Sequence, residues 1–296
     1  MAGRLPKPGR ISLSPMLSYR GKLCGDLTVA CLDENEFMVF GSGAAQEMHR
    51  RWFESHLDKF NLSYSNRSDE YHGLSIAGPN SRKVLEKIVR DDVSNEKFKF
   101  RDSRRMFVGG VPAIINRISF TGELGYEIYV APHYQLKLYE ELMEAGKEFN
   151  IKPFGGRALM SMRLEKNWGA WTLDYRPDFT AKETGLDAFI NWDKEFIGKE
   201  SAQKENSSNK LVPLIVETNE IDVTNNEAVL NGDQSIGYVT SGGFAHFVNK
   251  SVAFTFVDQK KIKSENKIQV EINGDLFNCS IIKEPLYDPS GQKMRS

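Results

Sequence analysis

The sequence predicts an α+β fold, with antiparallel sheets covered by helices and a small β-barrel at the C-terminal end. Three observations predict it. Short strand-like runs alternate with amphipathic stretches over the first two thirds of the 296 residues. A polar, aperiodic segment then interrupts the chain between Lys199 and Lys210. Beyond it, strand-like runs follow one another with no helical pattern between them, punctuated by Asn-Gly pairs.

The opening ten residues carry two prolines and two glycines and read as an extended lead. Gly25 to Leu32 and Glu36 to Phe40 read as two strands of a hairpin around Asp33-Glu-Asn35. From Ala44 to Phe60, Met48, Trp52, Phe53, Leu57 and Phe60 recur at helical spacing. Leu74 to Ala77 is strand-like, and Gly78-Pro-Asn-Ser81 opens a short helix whose buried stripe is Val84, Leu85, Ile88 and Val89. Val111 to Ile115 is apolar and β-rich. Asn116 to Val130 then reads as a strand, a tight glycine turn and a second strand. Helices are expected from about Tyr134 to Phe149 and from Gly155-Gly156 through Arg163-Leu-Glu-Lys166. After the boundary, Leu211–Val216, Ser235–Val239, Ser251–Val257, Lys267–Ile272 and Phe277–Ile282 are strand-like. The expected division is therefore residues 1–200, a linker at 201–210 and the barrel at 211–296.

The chain is 40% hydrophobic and 27% charged, enough to bury a large core. Its 39 basic and 40 acidic residues leave a net charge of -1 without a single-sign block, which gives no electrostatic footing for nucleic acid. Cys24, Cys31 and Cys279 show neither metal-knuckle nor redox spacing and point to a reducing compartment. No apolar run approaches the ~20 residues of a membrane span, and no signal-peptide core is present, so a cytoplasmic protein with no membrane partner is expected.

The five histidines are scattered, so no metal site is indicated. Gly41-Ser-Gly43 lacks the third glycine of a dinucleotide loop. No serine sits in a nucleophile elbow, and no cysteine has a neighbouring histidine. Carboxylates remain: Asp26 at the mouth of a strand, Glu123 and Glu127 around the glycine turn, and Glu165 beside Arg163. A strand-borne carboxylate next to a glycine turn can accept a planar N–H array. The pattern alone does not choose between Glu123 and Glu127, and a solvated hairpin is the competing reading.

Several motifs, in chain order, resemble one family. They are Pro15-Met-Leu-Ser-Tyr-Arg-Gly-Lys-Leu-Cys-Gly-Asp-Leu-Thr-Val29, Gly78-Pro79, Asp92-Val-Ser-Asn95, Thr121-Gly-Glu-Leu-Gly-Tyr-Glu127, Arg163-Leu-Glu-Lys166, Phe196-Ile-Gly-Lys199, Thr240-Ser-Gly-Gly243 and Lys250-Ser-Val-Ala-Phe254. The chain resembles the glycine-cleavage T-protein (aminomethyltransferase) family, and most of all the C-terminal folate domain of dimethylglycine and sarcosine dehydrogenases. The resemblance implies the folate-binding T-protein fold and one-carbon transfer to tetrahydrofolate, giving 5,10-methylenetetrahydrofolate from an N-methyl amine-derived iminium or from formaldehyde. It places the catalytic carboxylate on Asp26, which would orient the folate nitrogen and take up its proton. The pterin anchor falls on Glu127 rather than Glu123, and further folate positions fall on Phe120, Leu13 and Ser42. Phe120 stands where the family often has Tyr, Leu13 also replaces a Tyr, and Ser42 replaces an Asn, so polar contacts are lost.

The resemblance also implies that the chain begins inside the family's folate domain, as an N-terminally shortened member would. No FAD site is expected in it. The implied partners are tetrahydrofolate and a small amine-derived one-carbon donor, with a separate flavoprotein oxidase or dehydrogenase subunit as one source of that donor. Two alternatives follow from the same resemblance: a non-catalytic folate-binding or interaction module of a split dehydrogenase, and a tetrahydrofolate-dependent S-demethylase.

Overall fold

The structure is a computed structural model that describes residues 1–218 and 220–296. The expected α+β fold is present: antiparallel sheets with helices, then a closed barrel. Strands β1 (Arg10–Leu17), β2 (Leu23–Asp33) and β3 (Glu36–Phe40) form a sheet in the order β1-β2-β3, and α1 (Gln46–Leu57) follows. Next come β4 (His72–Ala77), α2 (Ser81–Glu86), β5 (Ser103–Val108), β6 (Val111–Asn116), β7 (Gly125–Val130) and α3 (Gln135–Gly146). These four strands make a second antiparallel sheet in the order β4-β7-β6-β5. Helices α4 (Gly156–Glu165), α5 (Ala181–Thr184) and α6 (Lys199–Gln203) precede the barrel. The barrel strands are β8 (Asn209–Val216), β9 (Ala228–Asn231), β10 (Gln234–Ala245), β11 (Lys250–Asp258), β12 (Ile268–Ile272) and β13 (Asp275–Ile281), and α7 (Gln292–Arg295) ends the chain.

Two compact units share the chain. One comprises residues 1–4, 14–26 and 155–289; the other comprises 5–13, 27–154 and 290–296. In the second unit, the four-stranded sheet buries one face under helices. Tyr126, Ile128 and Val130 of β7 point into that core with Ile115, Val108 and Ile76, against Val84 and Leu85 of α2 and Leu138 and Leu142 of α3. The period-2 alternation therefore sends Glu127 and Tyr129 to the opposite face.

The barrel of the first unit is filled by inward residues such as Leu214, Val216, Val229, Val239, Ala253, Val257 and Val270. Closure leaves these six strands no free edge. The Asn273-Gly274 hairpin turn has φ +52° and +93°, the left-handed pair that a tight hairpin requires. Leu164 of α4 packs on Ala245, Val252 and Phe254 of the barrel wall.

Several local expectations differ from the structure: the segment expected to be aperiodic from Lys199 carries α6, and strands β1 and β9 are absent from the sequence reading. Residues 117–120 do not extend β6, so the connection to β7 is an irregular loop over 117–124 rather than a tight turn. Arg117 draws it inward: its fully buried guanidinium donates to Asn95 Oδ1 at 2.7 Å and to the Phe98 carbonyl. Strand β5 is also absent from the sequence reading, because Arg104 and Arg105 interrupt its apolar pattern. Arg104 lies over the Phe98 ring at 5.0 Å, and Arg105 pairs with Glu36.

Candidate functional site

Glu127 sits in the middle of β7, opposite Ser75 of β4 on one side and Asn116 of β6 on the other. Its backbone is therefore fixed by a central strand, and its half-buried side chain stands on the sheet face away from the helices. Burial pushes its carboxyl above the usual range, and the Tyr129 hydroxyl opposes that shift by donating to Oε2 at 2.6 Å. Asn116 is fully buried: its Oδ1 accepts from Ser103 Oγ at 2.7 Å, while its Nδ2 has no hydrogen-bond partner among the described residues. Ser75, Glu127, Asn116 and Ser103 thus form a polar row across all four strands.

Glu123 has a different environment. It lies in the loop before β7, with Lys293 Nζ 3.9 Å from its Oε1. The two carboxylates that the pattern leaves equivalent are thus distinct, one on a strand within a polar row and one in a loop beside a lysine. Phe120 is half-buried in the same loop. Leu13 is half-buried on β1, and Ser42 is half-buried at the bend after β3, its carbonyl accepting from Ala45 N at 3.0 Å. All four of these expected contact positions, Glu127 included, fall in the second unit.

Asp26 falls in the first unit, on β2 after Gly25. Its carboxyl is recessed, and burial raises it from 3.8 to about 7, opposed by a backbone hydrogen bond. A carboxyl poised there can exchange a proton near neutral pH, as a general acid or base must. In the same unit Tyr175 is buried, with its hydroxyl accepting from Gly169 N at 3.1 Å; burial and then the charges of Asp26 and Asp174 hold that phenol protonated.

Glu165, the remaining carboxylate candidate, is structural. It is buried and accepts from Phe247 N at 2.7 Å, tying α4 to the end of β10. Nearby, Asp174 is fully buried: it pairs with Arg163 and accepts from Ala170 N at 3.0 Å, Ser241 Oγ at 2.6 Å and the Thr240 hydroxyl. Sequence reasoning assigned no role to Tyr129 or Asn116. The i, i+2 spacing from Glu127 was a readable signal for Tyr129; Asn116 needed the strand register.

The family model for the GCVT N-terminal domain matches residues 1–194, and that for the glycine cleavage T-protein C-terminal barrel domain matches 209–288. The chain belongs to the glycine cleavage T-protein family. Among T-protein relatives, an aminomethyltransferase of Caldanaerobacter subterraneus subsp. tengcongensis is 30% identical over 94% of this chain and 75% of its own length. The mitochondrial dimethylglycine dehydrogenase of Homo sapiens is 34% identical over 96% of this chain. The chain spans about a third of the length of that relative, 34% of it. The solved glycine cleavage system aminomethyltransferase T from Bartonella henselae superposes with a TM-score of 0.84 at 22% identity, covering 96% of this chain and 78% of that one, a likeness of fold. Among the described residues, no helix is long and apolar enough to cross a membrane.

Proposed function

We propose that this T-protein chain binds tetrahydrofolate and directs a one-carbon unit onto it from a small amine-derived donor, with 5,10-methylenetetrahydrofolate as product. The observation that carries the reading is Glu127: a recessed carboxylate on a central strand, in contact with a phenol donor on its own face. The pterin ring offers a ring N–H beside an amino group, a two-donor edge of the kind a carboxylate accepts with both oxygens. Glu127 fits it, because Tyr129 uses one lone pair of Oε2 and leaves the rest of the carboxylate available. Tetrahydrofolate, when bound, supplies the amine nitrogens that receive the one-carbon unit. Asp26 can hold or take up a proton, with an ionisation near 7 that keeps both of its forms populated at neutral pH.

Isothermal titration with tetrahydrofolate tests the anchor: Glu127→Gln should bind at least tenfold more weakly, and equal affinity would remove Glu127 from the site. For turnover, purified protein with tetrahydrofolate and formaldehyde should form methylenetetrahydrofolate faster than the spontaneous reaction, and Asp26→Asn should not. The likeness to a dimethylglycine dehydrogenase favours a second reading, in which a flavoprotein oxidises the amine and delivers the electrophile. In that case the protein binds tetrahydrofolate normally and accelerates the reaction only when a flavoprotein and its N-methyl amine are added.

A further inference from the structure

Tyr129 stands two residues after Glu127 on β7, so both side chains leave the sheet on one face. Its hydroxyl donates to Glu127 Oε2 at 2.6 Å, the length of a charge-assisted O–H to carboxylate bond. The ring is held from elements distant in sequence. Phe40 of β3 packs against it with ring centroids 4.4 Å apart. On β4 the residue opposite is Gly73, where a Cβ would come within 2.9 Å of the Tyr129 ring. On β6 the residue opposite is Ile114.

The groups facing Glu127 from the neighbouring strands, Ser75 on β4 and Asn116 on β6, carry no charge. Among the described residues, Tyr129 is the titratable side chain whose hydrogen bond acts on the carboxylate. Burial and the nearby carboxylate keep the phenol protonated well beyond its ordinary range, so it remains a donor.

We propose that Tyr129 is a positioning residue for Glu127: by donating to Oε2 it keeps Glu127 an ionised acceptor for a two-donor ligand edge. The inference rests on reading Glu127 as the pterin anchor. Its physical basis is the opposition between burial, which favours the neutral acid, and the phenol hydrogen bond, which favours the carboxylate. A protonated Glu127 would turn an O–H toward one of the two ligand N–H groups and keep only one oxygen as a pure acceptor. The phenol therefore sets the pH at which the site can accept such a ligand.

Tyr129→Phe removes the hydroxyl and retains the ring that Phe40 and Gly73 accommodate. Wild type, Tyr129→Phe and Glu127→Gln are titrated anaerobically with tetrahydrofolate from about pH 5 to about pH 9, the range over which a raised carboxyl ionises. Tyr129→Phe should bind about tenfold more weakly at the acid end, the gap closing toward the alkaline end as Glu127 ionises without help. A uniform loss at every pH would mean that the hydroxyl serves packing alone, and a profile superimposed on wild type would mean that it does nothing for Glu127; either overturns the inference. Glu127→Gln separates the two levels. If it binds as tightly as wild type, the anchor reading fails and this inference with it. If it loses binding while Tyr129→Phe follows the wild-type profile, the anchor stands and the role of Tyr129 falls.

Discussion

Replacing Asp26 with Asn should stabilise the protein in alkali far more than in acid. Asp26 holds its proton more tightly in the folded chain, where burial raises it from 3.8 to about 7, than it would unfolded. The favourable contribution is complete below the unfolded value and is lost as the pH rises through the folded one. Each unit of displacement corresponds to about 1.36 kcal/mol, so the ionised carboxylate destabilises the fold by about 4 kcal/mol at most. Asp26 keeps partial solvent exposure, which lowers the expected figure to about 2–4 kcal/mol. Asn has nearly the same shape and no charge to desolvate.

Thermal melts of wild type and Asp26→Asn at about pH 4 and about pH 8 measure the difference, and at roughly 2–4 °C per kcal/mol the alkaline gap should be about 5–15 °C. The acid gap should be much smaller, because the native carboxyl is already neutral there. An equal gap at both pH values, or a less stable variant at the alkaline one, would refute the reasoning that burial of an ionisable carboxyl is the cause. The expected pairing of higher stability with lost turnover is what a carboxylate held near neutrality for proton transfer implies.

Two further outcomes test the supports of the site. Asp174→Asn leaves the buried Arg163 guanidinium without its counter-charge and turns an amide N–H toward existing donors; a loss of about 3–5 kcal/mol in denaturant unfolding is expected, and a loss below about 1 kcal/mol would show that the cluster is not essential to this unit. Gly73→Ala places a methyl 2.9 Å from the Tyr129 ring. The overpacking should destabilise the protein by about 1–3 kcal/mol and weaken tetrahydrofolate binding by displacing the phenol, whereas unchanged binding would show that the ring is not held there.

Much of the architecture was legible in the chain. Helical spacing of Leu138 and Leu142 marked α3, and Asn273-Gly274 marked a tight barrel hairpin, because such patterns are local and repeat every few residues. The irregular loop at 117–124 was not legible: its course follows the burial of Arg117 against Asn95 and Phe98, about twenty residues earlier in the chain. Strand β5 was hidden for a similar reason, since Arg104 and Arg105 find their ring and carboxylate partners only in the folded protein.

For the candidate site, the sequence alone determined that Glu127 and Tyr129 share a face of one strand, because side chains alternate strictly along it. Its motifs also pointed to the T-protein family. It did not separate Glu127 from Glu123 without that resemblance. Only the tertiary structure seated Glu127 between Ser75 and Asn116, left Glu123 beside Lys293, and held the Tyr129 phenol in place with Phe40 and Gly73. Only the folded protein, likewise, gave Asp26 an ionisation near 7. Alternation is a property of neighbours along the chain, whereas desolvation and ring contacts depend on groups that folding brings from far away in sequence.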